Sequence, residues 1–103
     1  MKLHLGCGKR KIPDFYHMDQ WSYPHVDRTG DIADLSFLKN DSVDLIYTCH
    51  AFEYFDLQQA QKALRDWWRV LKKNGILRLA VPDFEALVQL YIKTKKKKKI
   101  LGP

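Results

Sequence analysis

Two glycines flank a cysteine directly after the apolar stretch Leu3-His4-Leu5, in the run Gly6-Cys7-Gly8. Backbone without Cβ atoms can turn sharply and lie against a ligand. A plain strand-ending turn uses the same residues. The third glycine of a dinucleotide fingerprint falls on Lys11, and no Gly-Lys-Ser/Thr follows. Neither a GxGxxG turn nor a Walker-type phosphate loop is therefore present. Two acids downstream give the turn a chemical context. Asp19 closes the run Tyr16-His17-Met18, where a carboxylate can accept two hydrogen bonds from a ribose diol. Asp31 follows Gly30 and can accept from the amino group of an adenine edge. Beside it, Ile32 offers a backbone N–H to a ring nitrogen and an apolar side chain to the base. Aspartates at strand ends are also common as solvated turn residues. The order of glycines, first acid and second acid is what points to a nucleoside site.

These residues need strands to hold them, and the chain supplies short ones. Residues 2–5, 16–18, 42–49 and 76–81 read as strands, the last stopped by Pro82. A further strand lies near Val26 and Asp27 or runs toward Gly30 and Asp31. Between the last two strands, Leu57, Ala60, Leu64, Trp67, Trp68 and Leu71 recur at helical spacing. Asp56 caps this helix with Gln59 at the reciprocal position. Lys72 and Lys73 suit its C-terminal dipole, and Asn74-Gly75 supplies the left-handed residue that ends it. Adjacency allows at most one of Trp67 and Trp68 to point fully into the core. A second helix starts after Pro82, capped by Asp83, with Phe84, Leu87, Val88 and Tyr91 on one side. Strand, helix, strand, helix predicts an α/β domain on a parallel sheet.

Composition bounds the alternatives. The chain has 103 residues, 46% hydrophobic and 29% charged, which suits one globular core. No apolar run approaches the ~18 residues of a membrane span, and the polar start MKLHLGCGKR lacks the apolar centre expected of a signal peptide. Cys7 and Cys49 are too few for a disulfide framework and lack metal-ligand spacing, as do the histidines, so no metal is expected. A reducing cytoplasm is the expected compartment. Of the eighteen Lys and Arg, six are Lys93 and Lys95 through Lys99, and the remaining twelve balance the twelve acids. The net charge of +6 thus belongs to a tail expected to stay solvated, which argues against a nucleic-acid partner.

The runs LHLGCG, HMDQ, GDIADLSF, SVDLIYTCHAFEYF, WWRVLKKNGILRLAVPDF and ALVQLY, in that order, resemble class I S-adenosylmethionine-dependent methyltransferases. The closest likeness is to the short type 11 enzymes with a compressed link between their first two strands. The resemblance spans about Lys2 to about Tyr91. It implies a Rossmann-like methyltransferase fold, with a mostly parallel sheet of about five strands here and the family's last two strands missing. It also implies S-adenosyl-L-methionine as cofactor. Gly6, Cys7 and Gly8 would then lie against its methionine and ribose portion, Asp19 at the ribose, Gln20 near the adenosine, and Asp31 and Ile32 at the adenine. His50, leaving the fourth strand, would face cofactor and substrate. It is the candidate catalytic base, because an imidazole takes up protons near neutral pH. A histidine that packs beside the cofactor or ends the strand fits the same position. Glu53 matches the acid of a frequent Glu-His pair, with Tyr54 replacing the His. Phe52, Tyr54 and Phe55 line either a substrate entrance or a small apolar cluster under a loop.

Three departures qualify the resemblance. His4 stands where most members carry an acid or Asn, which removes the usual partner of the methionine amino group. Seven residues separate Gly8 from Tyr16, fewer than a helical parallel crossover needs, so the first connecting helix is expected to be absent. The chain also reads as a truncated domain over residues 1–92, followed by a lysine-rich segment over residues 93–103. On that reading the fifth strand becomes an open sheet edge, and a homodimer through that edge is expected. The expected reaction is methyl transfer to a small-molecule acceptor. The alternative is a noncatalytic module that keeps the fold for binding. Asn/Asp-Pro-Pro-aromatic, the family's nucleic-acid motif, does not follow the fourth strand; Cys49-His50-Ala51-Phe52 stands there instead.

Overall fold

A computed structural model of the chain describes residues 1–49, 55–80 and 99–101. The elements in chain order are β1 (Lys2–Leu5), β2 (Tyr16–Asp19), β3 (Arg28–Thr29), β4 (Val43–Cys49), α1 (Leu57–Val70), β5 (Leu71–Ala80) and β6 (Lys99–Leu101). The strands form one sheet in the order β3-β2-β1-β4-β5-β6, and every pairing is parallel. This is the Rossmann-like α/β arrangement that the motif order predicts. Among the described residues no helix is long and apolar enough to cross a membrane.

Period-two alternation sorts the strand residues onto two faces. Leu3 pairs with Ile46, Ile46 with Leu77, Leu5 with Met18 and Thr48 with Leu79. The aliphatic members of this set share one buried cluster with Ala63, Leu64, Trp67 and Trp68 of α1. The other face carries a row in register across four strands: His17, His4, Tyr47 and Arg78.

The helix starts where its capping box requires. Asp56 accepts from the Gln59 N–H at 2.8 Å, and the Gln59 side chain accepts from the Asp56 N–H at 3.0 Å. Its buried stripe differs from the expected one. Leu57 is 73% exposed, whereas Ala63 and Val70 are buried. Helical side chains tilt toward the N-terminus, which at the first position leads away from the rest of the helix. Both Trp67 and Trp68 are buried and belong to the core cluster.

The helix end also corrects the sequence reading. α1 stops at Val70, and Leu71 is already extended with φ −66° and ψ 134°. Asn74 does adopt a left-handed conformation, with φ 70°, but it lies inside β5 and not at a helix cap. There the register jumps from Val43–Leu71 to Leu45–Ile76, leaving residues 72–75 as a bulge. A Cβ on Gly75 would lie 2.7 Å from the Lys72 carbonyl oxygen, so the bulge closes only around glycine. Lys72 serves Asp44 and not the helix dipole: its Nζ donates to Oδ1 at 3.1 Å.

Three further outcomes concern the strands. The ten residues between β1 and β2 contain turns and no helix, as their number demands. The third strand is the pair Arg28–Thr29, between the two placements considered. The outer edge of β5, expected to be open, is instead paired with β6 from Ile76 to Arg78. Lys99, counted with the charged tail, begins that strand. The proposed second helix from Asp83 lies outside the described residues.

Candidate functional site

Parallel strands bring their carboxyl ends to one side of a sheet, and ligands of open α/β folds bind in the crevice there. β1, β2 and β3 end side by side, at Leu5, Asp19 and Thr29, with Asp19 in register with Thr29. The turn after β1 has Gly6 at φ 67° and Gly8 at φ 57°, a region that residues with a Cβ enter at a cost. The Gly6 N–H donates to the Met18 carbonyl at 2.8 Å, which ties the turn to β2. A Cβ placed on Gly8 would meet nothing within 4 Å. The turn therefore presents bare backbone to open space, a cradle that suits a ligand lying against it.

Asp19 is the centre of this arrangement. It is buried, and its two oxygens each accept a backbone N–H. Gly8 donates to Oδ2 at 2.8 Å and Trp21 to Oδ1 at 2.9 Å. The carboxylate thus joins the glycine turn to the end of β2, and each oxygen keeps a second lone pair for a hydroxyl donor. The sequence reading gave this residue to a ligand and missed its structural duty. Gln20 follows it and is exposed.

The second acid is brought alongside by backbone contacts. The Gly30 N–H donates to the Asp19 carbonyl at 2.9 Å, placing Asp31 just beyond the end of β3. Asp31 is exposed, and its Oδ1 accepts from the Ala33 N–H at 2.9 Å, so it also shapes its own turn. Ile32 is buried, and its carbonyl accepts from Trp67 Nε1 at 2.7 Å. Helix α1 holds the rest of this loop through Asp66 and Arg69. Asp66 accepts from the Leu35 N–H and, at 2.8 Å, from Arg69 Nε. Arg69 also donates to the carbonyls of Leu38 and Leu35, both at 2.9 Å. Sequence reasoning missed these anchors; only the i,i+3 spacing of Asp66 and Arg69 hinted at a pair.

The first histidines gather behind the glycine turn. His4 and His17 are buried, with ring centres 5.3 Å apart, and His25 stands 5.5 Å from His17. Burial, then the neighbouring His17, Arg10 and His25, lower the His4 pKa to about 4. His4 is thus neutral, and its buried Nδ1 has no hydrogen-bond partner among the described residues. Cys7 is buried with its pKa raised to about 11, first by burial and then by the Asp19 charge, so its sulfur stays a thiol. Among the described residues no group of three His, Cys, Asp or Glu is arranged to hold a metal ion. His50, Phe52, Glu53 and Tyr54 lie outside the described residues, whereas Phe55 packs against the core with its ring centre 6.3 Å from that of Trp67.

A family model described as a methyltransferase domain matches residues 9–79. That span holds Asp19, Gln20, Asp31, Ile32 and His50, and it begins one residue after the glycine turn. No curated protein and no solved structure matches the chain. With more than half of its residues matched, on a parallel sheet ending in a glycine turn and two acids, the chain belongs to the type 11 methyltransferase-domain family.

Proposed function

We propose that this chain binds S-adenosyl-L-methionine at the carboxyl ends of β1, β2 and β3 and serves methyl transfer to a small-molecule acceptor. The observation that carries the reading is the Asp19 carboxylate, fixed by the Gly8 and Trp21 N–H groups beside an unobstructed glycine turn. When bound, the cofactor supplies an electrophilic methyl group on a sulfonium. Gly6, Cys7 and Gly8 offer backbone to the methionine and ribose portion, Asp19 accepts from the ribose hydroxyls, and Gln20 borders the adenosine. Asp31 and Ile32 take the adenine edge. His4 cannot offer charge to the methionine ammonium, so the adenosyl contacts carry most of the affinity. His50, one residue past β4, is the proposed base for the proton that the acceptor releases. Because the reaction needs alignment more than strong acid–base groups, a fixed pocket is the chief contribution of the fold.

Titration calorimetry with S-adenosylhomocysteine tests this reading. One site per chain is expected. The Asp19→Ala variant should bind at least about tenfold more weakly, since a hydrogen bond to a charged group is worth about 1.5–3 kcal/mol. Absence of heat at millimolar ligand would leave a noncatalytic module as the reading that stands.

A further inference from the structure

The turn that carries Gly6 and Gly8 has no helix to stiffen it. Besides Asp19 and the Gly6–Met18 bond, two imidazoles pin it. His25 Nε2 lies 2.8 Å from the Gly8 carbonyl oxygen. A carbonyl only accepts, so this nitrogen carries the proton. The Ile12 N–H donates to His17 Nε2 at 2.9 Å, so that nitrogen carries none. The His17 ring is therefore neutral, with its proton on Nδ1, 3.7 Å from Asp27 Oδ2. That same Asp27 oxygen accepts the His17 N–H at 2.7 Å.

These contacts fix one arrangement of the His17 ring. Neutral His17 holds Ile12 and hence the far end of the turn. The other groups facing His17 are His4 across the β1–β2 ladder, His25 at 5.5 Å, and Asp19 on the same face of β2. The turn itself brings Lys9, Arg10 and Lys11, of which Arg10 leans over the Tyr47 ring. We propose that His17 and His25 are positioning residues for the glycine turn, and that loss of either imidazole contact frees the turn and weakens binding of an adenosyl ligand. The second half of this proposal rests on the assignment of the turn to the cofactor.

The test separates the two halves. In the ligand-free protein, amide exchange at Ile12, read by ¹⁵N NMR, should be protected in the wild type and lose most of that protection in His17→Ala. His17→Gln keeps an acceptor for Ile12, so its Ile12 protection should hold. His4→Gln, which leaves both contacts in place, should keep the wild-type protection. Calorimetry with S-adenosylhomocysteine should show affinity at least about fivefold weaker in His17→Ala than in the wild type and less than about twofold weaker in His17→Gln. His25→Ala should weaken the ligand likewise, and His25→Gln, which can still donate to Gly8, should restore it. Wild-type Ile12 protection in His17→Ala, or equal loss in His17→Gln, would overturn the proposal. If the ligand does not bind the wild type, the cofactor assignment fails and Ile12 exchange still decides whether His17 holds the turn.

Discussion

At the scale of single residues, the site depends on side chains that do two things at once. Asp19 fastens the glycine turn, and under the proposed assignment it also offers lone pairs to a ligand, so its removal should affect binding and stability together. His4 makes the fold sensitive to acid. Its ring is neutral in the folded chain down to about pH 4, whereas in the unfolded chain it takes a proton below about pH 6.5. The unfolded state therefore binds more protons in this window, and stability falls as the pH drops through it. The window is worth about 3 kcal/mol. Urea unfolding of the wild type should show that loss between pH 7 and pH 4, and His4→Gln should reduce the loss by at least about 1 kcal/mol. An unchanged pH dependence in His4→Gln would remove His4 as its source.

At the scale of elements, α1 acts as the clamp for the loop that bears Asp31 and Ile32. Arg69 reaches the Asp66 carboxylate, the Asn40 side chain and two loop carbonyls. Arg69→Ala should cost about 2–4 kcal/mol by stranding these acceptors. It should also weaken S-adenosylhomocysteine severalfold by loosening the loop. Arg69→Lys should recover only part of both effects, because an ammonium cannot span the four acceptors. The helix-to-strand passage has its own fixed point. Gly75→Ala forces a Cβ onto the Lys72 carbonyl, and thermal unfolding should register a loss of about 2 kcal/mol or more from the strained bulge. A loss below about 0.5 kcal/mol, the ordinary range for an innocuous substitution, would show that the bulge relaxes freely.

At the scale of the whole molecule, the sheet edge decides how the chain meets a second copy. A bare β5 would present a ladder of unpaired N–H and C=O groups to any neighbour. The three residues of β6 pair with Ile76 to Arg78, and that strand opens with a lysine. Self-association through β5 therefore requires β6 to leave. Ile100→Pro deletes the N–H of the central β6 residue. Sedimentation velocity should show more self-association in this variant than in the wild type at tens of micromolar. Equal sedimentation in both would show that β6 does not guard the edge.

The sequence by itself determined what depends on near neighbours: the strand and helix periods, the Asp56–Gln59 box, the missing β1–β2 helix and the order of glycines and acids. These follow from spacing along the chain, which one reading of residues exposes. The tertiary structure alone decided which distant groups meet. His17 faces His4 only because β1 and β2 pair in that register, and His25 reaches Gly8 only because the turn folds back over β2. Likewise, Leu57 stays exposed, Trp68 is covered and β6 closes the β5 edge because of how whole elements dock. Register and docking come from the summed packing of the core, which no local window of residues contains.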